Sequence, residues 1–164
     1  MIDTLLGELF TYNPDSGEVK HKTKRGSARP GDVLKEIDKD GYLRTQVTIN
    51  KKRLVIRVHR LAWFLHYGHW PSGVIDHING LRTDNRAENM RDCSHGQNLM
   101  NRSEPANNTS GVKGVSWSER DQAWVAYLTI NGHRIHLGQS KDKNKAVDIR
   151  HAGTDKYHGE YGKK

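Results

Sequence analysis

An α+β fold built in successive pieces is predicted for this 164-residue chain. The pieces are a basic, β-rich N-terminal region, a strand–loop–helix unit of ββα form, a linker, and a three-stranded antiparallel sheet carrying one helix. Three observations predict it. Apolar residues alternate with polar ones on both sides of short polar turns, near residues 42–58 and again in 112–137, which is the hairpin signature. Between these regions "GVIDHING" ends a short apolar run in a loop crowded with Asn, Asp and Gly. Finally, "NRSEPANNTSG", residues 101–111, breaks the composition with Asn, Ser and Pro, as a linker or extended arm does.

Composition sets the limits. Hydrophobic residues make up 34% and aromatics 7%, enough for modest cores but not for one large one. The formal net charge is +8, which makes nucleic acid the first candidate partner and an anionic membrane surface the second. The charge is uneven. Residues 1–75 hold 13 basic and 8 acidic groups, 76–102 hold 4 of each, and 103–164 hold 10 and 7. A neutral centre between two basic flanks suits a cutting site between two gripping surfaces. Cys93 is the single cysteine, which excludes a disulfide framework and any Cys-rich zinc knuckle. No signal-peptide core and no membrane-length apolar run occurs, so a cytoplasmic protein is expected.

The first 60 residues read as strands. Pro14-Asp15-Ser16-Gly17 is a turn between "LFTY" and "EVKHK". "YLRTQVTI" alternates, and after Asn50-Lys51-Lys52 "RLVIRVH" alternates again, with Arg44, Arg53, Arg57 and His59 on outward faces. "RLAWFLHYG" shifts to helical spacing and stops at Gly68 and Pro71. Residues 73–77 look like a strand. Ser94-His95-Gly96-Gln97 fits a capping box opening a short helix. Past the linker, "GVKGVSW", "AWVAYLTI" and "HRIHLG" are strand-like, with turns at Arg120-Asp121 and Asn131-Gly132. A last helix places Ala146, Ile149 and Gly153 at helical spacing to cover one face of the sheet, with Trp124 packed between the two.

The Asp-His pair raises a chemical question. Phosphodiester cleavage needs a divalent cation at the phosphate and a neutral imidazole to take a proton from water. Magnesium prefers oxygen ligands and keeps several waters, so one or two protein groups suffice. Asp76 offers a carboxylate. His77, next along a strand, points to the other face of the pleat unless the backbone bends, and the Asn-rich loop can supply that bend. Asn98, in the first turns of the capped helix, offers a hard amide oxygen, with His95 as a rival ligand on nearly the same face. On spacing alone an ordinary turn explains the segment as well.

The array "VHRLAW…GVIDHING…DNRAENM…CSHGQNLMNR" resembles the HNH nucleases, especially the phage and intron-borne homing endonucleases. The resemblance implies a ββα-metal site within about residues 58–102, in a region spanning 1–102. On it Asp76 and Asn98 are metal ligands for Mg²⁺ (or Mn²⁺), His77 is the general base, and Asn89 braces the loop, a role for which Asn85 competes. Arg57 and Arg60 just upstream become candidate DNA contacts. After the linker at 103–111, residues 112–164 resemble an AP2/ERF-type DNA-binding domain through "GVSW", "WVAYL", "HLG" and "YHGEY". Such domains lay the sheet in the major groove. Lys113, Ser116, Ser118, Arg120, Tyr127, Thr129, Arg134 and His136 are the implied contacts, with Arg120 and Arg134 the sheet's available arginines.

The expected function is thus a metal-dependent endonuclease of the phage homing type, acting on double-stranded DNA in an infected bacterial cell. A monomer on DNA, with one site, nicks one strand per event, and a dimer, or two successive events, is needed to break both strands. Two other readings compete: a DNA-binding regulator with an inactive HNH unit, and an HNH nuclease acting in phage DNA packaging.

Overall fold

The computed structural model describes residues 2–49, 51–101, 108, 110–130 and 132–162. The linker expected at 103–111 falls mostly outside them. Two compact units emerge, Met1–Cys93 and Ser94–Lys164. The division falls ahead of the capped helix, which the sequence grouped with the residues before it. Small antiparallel sheets and short helices make up both units, a mixed α/β architecture.

The first unit opens with a helix where strands were expected, α1 (Ile2–Leu9). The reason is legible in hindsight: Ile2, Leu5, Leu6 and Leu9 recur at helical spacing, Asp3 sits in the first turn, and Leu6 is fully buried. Two short strands follow, β1 (Phe10–Tyr12) and β2 (Val19–His21), paired around the Pro14–Gly17 turn. The next hairpin joins β3 (Arg44–Ile49) to β4 (Lys52–Arg57), with Val47 opposite Leu54 and Arg44 opposite Arg57.

Helix α2 (Val58–Tyr67) begins one residue after β4 and ends at Gly68, whose φ of 76° makes the left-handed cap. Val58 and His59 therefore belong to a helix, not to the strand face on which the sequence placed them. His59 is buried there at 6% exposure, not turned outward. Leu61, Ala62 and Phe64 of α2 join Leu6, Phe10, Val19, Val47, Ile75 and Met90 in one core. That core seats β5 (Val74–His77), which pairs with β6 (Met90–Cys93), so that Asp76 faces Arg91 and His77 faces Met90.

The second unit starts with α3 (His95–Met100). Its Ser94 side chain accepts from the Gln97 amide while the Gln97 side chain accepts from the Ser94 amide. This reciprocal capping box holds a helix too short to be stable by propensity. Strands β7 (Val115–Ser118), β8 (Ala123–Ile130) and β9 (His133–Ser140) form one meander. Helix α4 (Lys143–Tyr157) packs on it. Gly153 lies so close to Leu137 that a β-carbon would come within 2.4 Å of its Cδ1, and fully buried Ala146 shares that helix. Trp124 of the sheet meets Lys143 of α4 at 5.3 Å.

Candidate active site

His77 ends β5, and several groups from elsewhere in the first unit grip it. The loop turns back at once: the Gly80 amide donates to the His77 carbonyl at 2.8 Å, with Gly80 at a φ of 77°. Its ring Nε2 lies 3.0 Å from Asn85 Oδ1. An amide oxygen only accepts, so this contact fixes the proton on Nε2 and puts the lone pair on Nδ1. Two further rings pack beside it, His59 at 5.4 Å and Tyr42 at 6.0 Å between centroids. Burial pushes the His77 pKa below the ordinary imidazole value, against the opposing pulls of Asn85, Asp76 and Asp84, and Arg82 lowers it further. The imidazole is therefore neutral at physiological pH, the state a general base needs.

Asp76, 5% exposed, meets the guanidinium directly across the β5–β6 ribbon: Arg91 Nε donates to its Oδ2 at 2.8 Å and Arg91 Nη2 at 2.6 Å. Both contacts use one carboxylate oxygen. A carboxylate accepts at about four lone-pair sites over two oxygens, so the guanidinium and a divalent cation are compatible partners. Asp76 offers hard oxygen, as magnesium or manganese prefers. Among the described residues no group of three or more His, Cys, Asp and Glu gathers as a metal cluster. Asn98 lies in the middle of α3, in the second unit, with His95 at that helix's first position.

Asn89 and Asn85, rivals for one role in the sequence, do different things. Asn89 staples the loop: its Oδ1 accepts from the Asn79 amide at 3.0 Å and its Nδ2 donates to the Asp84 carbonyl at 2.8 Å. Asn85, 1% exposed, holds the His77 ring. The loop is further tightened by Asp84, whose pKa falls to about 2 chiefly through its hydrogen bond with Arg86.

A buttress stands behind Asn85. Tyr12 donates its phenol to the Asn85 carbonyl at 2.7 Å, and burial, with smaller charge effects, raises that phenol's pKa to about 12. The Ala87 amide donates to the Pro14 carbonyl at 3.0 Å. Gly17, at a φ of 74°, leaves no room for a side chain: a β-carbon would stand 2.6 Å from the Arg86 nitrogen.

The basic candidates divide. Arg57 donates through Nε to Asp38 at 2.9 Å and also pairs with Asp40. Arg60 binds the Gly73 and Pro71 carbonyls. Lys113 donates to the Met100 and Leu99 carbonyls, where a cation complements the end of α3. Arg120 pairs with Asp121 at 3.0 Å on an exposed turn. Ser116, Tyr127 and Thr129 alternate with buried Val115, Ala126 and Leu128, and Arg134 and His136 lie across from Thr129 and Tyr127. Arg134 stacks on the Tyr127 ring at 3.3 Å. Ser116, Ser118, Arg120, Arg134 and His136 line one shallow cleft. Sequence reasoning missed Tyr42, Arg82 and Arg91 at the His77 end. Arg91 alone carried a signal, since two paired strands place it opposite Asp76.

Residues 57–100, which hold the Asp-His ribbon, match the family model of HNH endonucleases. Such nucleases are in general metal-dependent. The chain belongs to the family of Protein 3.8 of Escherichia phage T7, to which it is 32% identical over 108 residues, 65% of this chain and 88% of that one. A solved structure of DNA binding and cleavage by the HNH homing endonuclease I-HmuI superposes with a TM-score of 0.44 at 22% identity, covering 89% of this chain and 82% of that one. No helix among the described residues is long and apolar enough to cross a membrane.

Proposed function

We propose that the protein is a metal-dependent DNA endonuclease of the phage homing type, acting in an infected cell and nicking one strand per bound monomer. One observation carries the reading: a buried, neutral His77, its tautomer set by Asn85, adjoins the Asp76 carboxylate at the end of a strand. Asp76 would offer its carboxylate to a magnesium or manganese ion, which when bound supplies positive charge at the scissile phosphate and its leaving oxygen. His77 Nδ1 takes the proton from the attacking water, and Asn85 keeps the imidazole in the tautomer that can do so. Asn89 keeps the loop closed around both. Arg91 holds the carboxylate of Asp76 in place.

In this reading the second unit binds duplex DNA through the sheet face that α4 does not cover, in the AP2-like manner. What supports it is the presence of Ser116, Tyr127, Thr129, Arg134 and His136 there, together with the cleft that Ser116, Arg134 and His136 share with Arg120. Arg134, held flat against Tyr127, is the guanidinium best prepared to meet a guanine edge or a phosphate.

The test is incubation of supercoiled plasmid with the purified protein in magnesium, manganese or EDTA, alongside His77→Ala. Open circles that need metal and vanish with the variant are expected. Turnover retained by His77→Ala sinks the general base. Absence of cleavage with DNA binding intact returns the protein to the class of regulators.

A further inference from the structure

We propose that Arg82 grips a phosphate of the cleaved strand at or beside the scissile bond, which makes it the anion-binding residue of the nuclease site. The inference rests on the nuclease reading above. The cations around His77 differ in what already holds them. Arg57 meets Asp38 and Asp40, Arg86 meets Asp84 and Glu88, Arg91 meets Asp76, and Arg60 is bound to two carbonyls. Among the described residues Arg82 pairs with no carboxylate, and it is exposed. It lies on the loop between His77 and Asn85, five residues beyond the proposed base.

Its guanidinium is nevertheless fixed. The carbon at its centre sits 5.2 Å above the Tyr42 ring, and Nη1 donates to the Asp40 carbonyl. The same Tyr42 ring lies 6.0 Å from the His77 ring, so one side chain stands beside both the base and the cation. Tyr42 is itself set by a tight turn: Asp38 Oδ1 accepts from the Asp40 and Tyr42 amides at 2.9 and 3.0 Å, and Gly41 adopts a φ of 84°. A guanidinium stacked on a ring keeps its planar N–H edge outward for two parallel bonds to a phosphate. Holding it in advance lowers the entropy lost on contact.

The experiment has two readouts on the full-length protein. The first is duplex binding in calcium over a salt series, comparing wild type with Arg82→Gln and Arg82→Lys. Loss of one phosphate contact lowers the slope of log K against log salt by about 0.9 in the glutamine variant, and lysine retains it. The second is the single-turnover nicking rate of plasmid in magnesium at saturating protein. Arg82→Gln is expected to lose on the order of 10- to 100-fold, with partial recovery in Arg82→Lys. An unchanged salt slope overturns the proposal. So does a reduced slope with the saturating rate intact, because the contact then lies away from the cleaved bond. A wild type that binds but never cleaves overturns the nuclease reading instead, and the salt slope still decides whether Arg82 meets phosphate.

Discussion

His59 stands 5.4 Å from His77 with the rings at right angles. Burial, the neighbouring imidazole and the charges of Arg57 and Arg60 push its pKa down to about 3. An imidazole held neutral in the fold takes up a proton only on unfolding. Its contribution to stability is whole above the ordinary histidine value near 6.5 and is lost progressively as pH falls toward 3. The slope is roughly 1.4 kcal/mol per pH unit inside that window. Urea midpoints measured from pH 7 to pH 4 should therefore fall, and His59→Gln should flatten the decline by one proton's share. An equally steep decline in the variant would mean that His59 is not the group taking up that proton. Sequence could not have supplied this. Read as a strand residue, His59 faces water; only the switch to helix at Val58 turns it into the core.

At the level of elements, the β1–β2 turn acts on a loop some seventy residues away in the chain. Tyr12, Pro14 and Gly17 all press on residues 85–87, and Asn85 in turn holds His77. Gly17→Ala combines a left-handed backbone with a β-carbon driven against the Arg86 nitrogen, so it should cost more than the about 1–2 kcal/mol of strain alone. Gly26 makes the matching control, since its φ is 59° and nothing lies within 4 Å of an added β-carbon. Thermal melts should show the first variant well below the second, with nicking reduced only in the first. Equal melting points would mean that the β1–β2 turn does not brace the loop. The elements themselves were partly legible. The capping box at Ser94 and the Asn-Gly turn before His133 announce their structures because their signals are local. Helix α1 was hidden because its helical spacing runs for only two turns before the strand-like segments begin, and Asn85's hold on His77 because it depends on loop closure, which no local pattern records.

Across the whole molecule the charge is shared. Residues 1–93 carry 16 basic and 12 acidic groups and residues 94–164 carry 11 and 7, so each unit has a net charge of +4. Neither is a neutral passenger, and DNA affinity should fall linearly with the logarithm of salt through contacts from both. Arg134→Ala is expected to reduce that slope by about 0.9 while leaving the saturating nicking rate unchanged. Titrations between roughly 50 and 200 mM salt check it, and a slope that does not move would take the sheet face off the DNA. The basic character of the chain was plain from composition. Which cations remain available was not, because Arg57, Arg60 and Lys113 find their partners only once the chain is folded.

The family motif covers 57–100, yet the side chains that hold His77 in register begin at Tyr12 and include Tyr42. Cut out at the motif's own borders, the segment would keep the reactive pair and lose the frame that orients it. Anyone moving this site onto another protein must therefore transplant from the first strand onward, because the working unit is longer than its signature.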